Sequence, residues 1–289
     1  MRRIRYIYNA PRKHWVGNGF HVSPLFSHMA EDRQTNPFLM FDYAVPMEFA
    51  PNPGEPRGVG AHPHKGFETV TIAYHGEVAH RDSSGGGGVI REGDVQWMTA
   101  GAGIVHDEFH SEDFSKQGGL FEMAQLWVNL PAVHKNTPAR YQHLSAENIP
   151  SVTLADHAGS LRIIAGDCQG TKGAAETFTE MNVWDVKLNP NGRTELEVPA
   201  NHNLAIAVRR GNVRFNQEHT AGATQLVTFQ TEAGSIQLQA DGEGAELLLL
   251  SGVPIDEPVA AHGPFVMNTR AELIKAFDDY NSGKFGYLA

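Results

Sequence analysis

The sequence predicts an all-β chain made of two antiparallel β-barrels, with one helix near the C-terminus. Three observations lead there. Residues 70–74 and 95–98 are apolar segments of alternating side chains, bounded by His75-Gly76, the glycine run 85–88, Glu92-Gly93-Asp94 and Gly101-Ala102-Gly103. Alternation of period two between glycine-rich turns is the pattern of short antiparallel strands. The same pattern returns in the second half, where TVTIAYHGEVAHRD (69–82) finds a counterpart in LAIAVRRGNVRFNQE (204–218). Finally, Thr269-Arg270-Ala271-Glu272 fits a capping box, in which hydroxyl and carboxylate satisfy the free N–H groups of a helix start.

Composition narrows the function. The 289 residues, 41% hydrophobic and 19% charged, suit a soluble globular protein with ample core. A formal charge of −10 argues against a general nucleic-acid or anionic-membrane surface. One cysteine, Cys168, cannot close an internal disulfide, which suits a reducing compartment. The basic start MRRIRYIYNAPRKHW lacks a signal-peptide apolar run, and no stretch approaches the roughly 18 apolar residues of a membrane span. The expectation is a cytoplasmic protein, monomeric because paired barrels can bury their own edges.

In chain order, residues 1–57 read as strands and loops, with a short apolar run at 37–41. A loop over 50–60, holding three prolines and three glycines, delivers the chain to His62-Pro63-His64. Pro63 lacks an N–H, placing this segment at a strand end or edge. Gly118-Gly119 precedes an apolar strand over 120–130. The polar, proline-bearing stretch from Pro131 to Pro150 is the candidate linker, so the domains are expected at 1–135 and 150–289, with a linker at 136–149. Aligning the halves on Gly76 with Gly211, and on Gly103 with Gly234, sets Glu197/Pro199 against His62/His64 and Gln237/Gln239 against His106/Glu108. The second half then reads as a copy of the first without its ligands. In the terminal helix Leu273, Phe277 and Tyr280 share one apolar face for packing on a barrel, and Asn281-Ser282-Gly283 ends it.

The chemistry is concentrated in His62/His64 and His106/Glu108. Residues two apart on a strand share a face, so each pair projects together. Convergence inside one barrel would set three imidazoles and a carboxylate around one ion. That donor set suits Fe(II), Mn(II), Ni(II), Zn(II) or Cu(II), and the lack of thiolates in this stretch excludes a structural cysteine-type zinc site. Such an ion would keep open positions and acidify a bound hydroxyl. Glu68, at the parity of His64, is a candidate for orienting a histidine or a water, or for a strand salt bridge. His80, His110 and Asp107 could reach the mouth of the site but are expected at the surface, Asp107 pointing away from the ligands; Trp97 and Phe67 are expected in the core rather than as a substrate platform.

HPHKGFETVTIAYHGEVAHRDS, GDVQWMTAGAGIVHDE and HGPFVMNTRAELIKAFDDYNSGKFG resemble the pirin family of bicupins, from about Asn36 to the C-terminus. The resemblance implies two small cupin barrels stacked face to face, the first binding iron through His62, His64, His106 and Glu108 and the second without metal. The general cupin second motif has a proline two residues before its final glycine; Gly101 stands there instead, which the resemblance to pirins also implies. Some family members are similar to quercetin 2,3-dioxygenases, which implies a flavonol substrate, dioxygen, and Glu108 as the base. Others are similar to iron-responsive regulators, which implies a transcription factor or a metabolic enzyme as protein partner and requires no turnover.

Overall fold

A computed structural model describes residues 1–9, 12–27 and 33–288. Two compact units interleave along the chain. One comprises 13–23, 40–146 and 255–289; the other comprises 1–12, 24–39 and 147–254. Strands dominate both, as the period-two patterning requires.

In the unit built on the first half, a seven-stranded sheet runs in the order Arg140–Leu144, Val95–Thr99, Phe67–His75, Gly119–Asn129, Phe38–Phe49, Phe20–Ser27, His14–Val16. A four-stranded sheet runs Gly58–His64, Ile104–His110, Val78–Asp82, Gly87–Ile90. Phe20, Phe49, Ala73, Phe121 and Met123 of the first sheet pack with Val78 and Ile90 of the second. Burying such side chains contributes about 1.5–3 kcal/mol each. The stretch read as a linker contains a strand: Arg140–Leu144 pairs with Thr99–Val95, and its polar composition conceals an edge strand.

The terminal helix Arg270–Asn281 belongs to this same unit. Its capping box is complete, Thr269 N–H donating to Glu272 at 2.8 Å and Glu272 N–H donating to the Thr269 hydroxyl at 3.2 Å. Leu273 and Phe277 pack with Ala276, Val105, Phe265 and Phe285. Tyr280 lies on that face against Phe265 and Phe285 at its rim, 37% exposed, and Ala276 is the fully buried residue of the helix there.

In the other unit a nine-stranded sheet is organised on the 18-residue strand Ser235–Gly252. Ile4–Asn9 adds to its edge by pairing with Gln225–Phe229, so the N-terminal strand belongs to the barrel of the second half. Arg193–Glu197 pairs with the start of the long strand, repeating the pairing of Gly58–His64 with Ile104–His110. The aligned register is one residue out, however. Thr194, Leu196, Ile236 and Leu238 are the buried residues, whereas Glu197 and Pro199 are exposed and Gln237 bonds Glu195 on the outer side. The interior positions matching the ligands are therefore mainly aliphatic.

Candidate metal centre

Strand Ile104–His110 is hydrogen-bonded on both sides, and this places the site. Towards Gly58–His64 the register sets His106 opposite His62 and Ile104 opposite His64. Towards Val78–Asp82 it sets His106 opposite Asp82 and Glu108 opposite His80. Directly opposed residues on one face have Cβ atoms about 5 Å apart, so these side chains must meet.

His62, His64 and His106 converge, with one nitrogen of each ring within 4.8 Å of the others. Ring centroids lie 4.3 Å apart for His62 and His106, and 4.8 Å apart for His64 and His106. Each imidazole has one nitrogen tied down. His62 Nδ1–H donates to the Gly60 carbonyl at 2.8 Å, leaving Nε2 as a lone pair. His64 bonds the Pro264 carbonyl, and its Nδ1 is buried without a partner among the described residues. His106 sets Nδ1 at 3.2 Å from His80, and its Nε2 is likewise buried without a partner. Two orphaned buried nitrogens beside a third lone pair fit a cation; lone pairs left bare at this depth otherwise carry a desolvation cost of about 1–3 kcal/mol each. Burial, reinforced by His62, depresses His64 to about 3, and burial with the neighbouring imidazoles holds His106 well below its ordinary value. Both rings stay neutral, as ligands must.

Glu108 stands beside His106 but shares its close group with His80, not with His62 and His64. A register irregularity between His106 and Glu108 in the pairing with Gly58–His64 offsets the carboxylate from that strand. Three donors hold it: Thr71 Oγ1 at 3.2 Å and Gln96 Nε2 at 3.2 Å on Oε1, and Gln125 Nε2 at 3.0 Å on Oε2.

Several neighbours differ from the sequence reading. His80, expected at the surface, is buried and touches His106, because Val78, His80 and Asp82 are the inward residues of their strand. Its Nε2 lies 3.1 Å from Asp82. Burial would raise the Asp82 carboxyl, but hydrogen bonds from His80, Ser84 and Gly86 bring it to about 2. His110 is buried too, bonded to the Gly19 carbonyl and stacked on Phe121, away from the ligands. Asp107, also expected at the surface, is buried, and both its oxygens accept from the Arg81 guanidinium. Glu68 orients no histidine: it accepts from Thr99 at 2.7 Å, across the sheet from Thr71, and burial raises it to about 7. Phe67 and Trp97 are fully buried, as core residues should be. Phe67 nonetheless flanks His64 at 5.1 Å and stacks near Trp127 at 4.4 Å. Trp127 and Gln125, half-buried, were missed; their shared parity on Gly119–Asn129 was the available signal.

The fold and the cluster define a class, a protein of two cupin domains with a histidine-rich centre in one of them. Comparison with known proteins gives the family. A model described as pirin matches residues 19–128, and one described as the pirin C-terminal cupin domain matches 183–286. A Pseudomonas aeruginosa relative named "Putative quercetin 2,3-dioxygenase PA2418" is 46% identical over 99% of both chains. Pirin-1 of Arabidopsis thaliana is 35% identical, covering 89% of this chain and 86% of its own. The crystal structure of quercetin 2,3-dioxygenase from Acinetobacter baumannii superposes with TM-score 0.96 at 48% identity, covering 100% of each chain. The chain belongs to the pirin family.

Proposed function

We propose that this protein is a metal-dependent, quercetin 2,3-dioxygenase-type oxygenase that opens the heterocycle of flavonols, with Fe(II) held by His62, His64, His106 and Glu108. The observation that carries the reading is the trio of converging imidazole nitrogens, two of them buried and unpartnered. The names borne by the relatives supply the reaction class.

When bound, the ion would acidify the substrate hydroxyl and supply the redox-active centre at which flavonol and dioxygen react. The protein's own groups do the rest. Half-buried His62 marks the open side, while His64 and His106 form the closed floor. Half-buried Trp127 presents aromatic surface next to His64, suited to a planar flavonol, and fully buried Phe67 packs behind it. Glu108 takes the hydroxyl proton at Oε2, which has a single donor in Gln125, while Thr71 and Gln96 keep Oε1 in place.

Elemental analysis of protein purified without chelator identifies the ion among Fe, Mn, Ni, Zn and Cu. Fe(II)-loaded protein given quercetin is expected to consume oxygen and release carbon monoxide, and His62→Ala to abolish both. Fully metallated protein that shows no uptake across a flavonol panel would overturn the catalytic assignment. The metal-responsive regulator that the family resemblance also implies would then be the better reading.

A further inference from the structure

The glycine-rich turn after His80 has no part in the ligand set, yet its hydrogen bonds lead straight to it. Asp82 Oδ1 accepts from Ser84 N–H at 2.8 Å, Ser84 Oγ at 2.6 Å and Gly86 N–H at 3.1 Å. Its Oδ2 faces His80 Nε2, and both side chains are sealed from solvent. An ionised carboxylate only accepts, so His80 Nε2 carries a proton. The opposite nitrogen is settled by Gln96. Its amide nitrogen sits 3.2 Å from the Glu108 carboxylate and 3.2 Å from His80 Nδ1, with the Tyr141 hydroxyl on its oxygen. An amide N–H cannot accept, so His80 Nδ1 is a lone pair. His106 Nδ1, 3.2 Å from that lone pair, is then the donor that shares it with Gln96, since a bare His106 Nδ1 would set lone pair against lone pair.

We propose that His80, anchored by Asp82 in the turn 83–88, is a positioning residue that holds His106 as its Nδ1–H tautomer and so turns the Nε2 lone pair towards the ion. This rests on the metal-centre reading above. Tyr141 stacks on His80 with ring planes 17° apart and keeps the ring in that orientation. Gly86 is part of the device, since a Cβ there would meet Asp82 Oδ2 at 2.5 Å and Tyr141 Cβ at 3.0 Å. The chain of contacts acts as a carboxylate does behind a metal-bound histidine, with one imidazole interposed.

The geometry makes Asp82→Asn a sharp test. Three donors oblige the amide oxygen to occupy the Oδ1 position, so the amide N–H₂ must face His80 Nε2. Where His80 yields to the new amide N–H it carries its proton on Nδ1 and gives up the bond from Gln96, which drives His106 to the Nε2–H form and covers the ligand lone pair. The comparable substitution behind a catalytic histidine acts through the wrong tautomer. The variant is isosteric and retains the turn.

Long-range ¹H–¹⁵N NMR of ¹⁵N-histidine-labelled, metal-free full-length protein reads the tautomer directly, with His106 assigned by comparison with His106→Gln. Wild type is expected to show His106 protonated at Nδ1, and Asp82→Asn at Nε2. Titration with Co(II), followed by its visible absorption, is expected to weaken roughly 10–100-fold in the variant. His80→Phe, which keeps a ring against Tyr141, should give mixed tautomers, and His80→Asn, whose amide oxygen replaces the acceptor, should stay near wild type. An unchanged His106 tautomer in both Asp82→Asn and His80→Phe overturns the proposal. A wild type with the expected tautomer that binds no Co(II) refutes the metal reading and upholds the tautomer relay.

Discussion

Acidifying the metal-free protein from pH 6.5 to about pH 5 should weaken the fold by an amount worked from three buried groups. His64 and His110 are held at about 3 and about 4 by burial, against an ordinary 6.5. Their folded values lie below their unfolded ones, so protons prefer the unfolded chain and stability falls as pH drops below 6.5. Over this interval each costs about 1.6 kcal/mol. Glu68 acts oppositely. Its folded value, raised to about 7 by burial from 4.5, means that the fold takes up a proton first, returning about 1.7 kcal/mol over the same interval. The net loss is about 1.5 kcal/mol, and His106 and His202, both lowered by burial, add to it in the same direction. Urea titration with chelator present, at both pH values, measures it. Glu68→Gln keeps the acceptor for Thr99 while removing the counterweight, so the loss should roughly double in that variant. Equal or greater stability at the lower pH would refute the assignment of these imidazoles as buried and neutral.

Two further perturbations test the scaffold around the site. Fully buried Lys135 donates to the carbonyls of Gly66 and Val266 and to Asn129 Oδ1 at 2.7–3.0 Å, so Lys135→Met should destabilise by about 3 kcal/mol in urea unfolding. Thr269→Ala removes one half of the capping box and should cost about 1 kcal/mol, read as a lower Tm with metal content unchanged.

The convergence of His62, His64 and His106 was legible because its signal is local. A one-residue gap on a strand guarantees a shared face, and two such pairs around a β-meander have few other uses. The capping box was legible for the same reason, its partners being three residues apart. His80 was not, since its burial depends on which strand lies beside Ile104–His110. Nothing within Val78–Asp82 distinguishes an inward histidine from an outward one. Glu108 shows the same limit from the other side: its spacing from His106 was right for a shared face, but the register irregularity sets it beside His80 and three donors. The second half was read one residue out because glycine turns anchor an alignment only to within the length of a turn, and a slip of one reverses every side chain.

By itself, then, the order of residues determined the strand-rich class, the identity of three converging imidazoles and the start of the last helix. These follow from alternation, turn chemistry and caps, whose interactions span a few neighbours. Tertiary structure alone decided that Ile4–Asn9 joins the second barrel, that the C-terminal helix belongs with the first, and that Asp82 and His80 stand behind His106. Cross-strand register and the placement of chain ends are settled by hydrogen bonding and burial summed over whole sheets, a quantity that no short stretch of sequence contains.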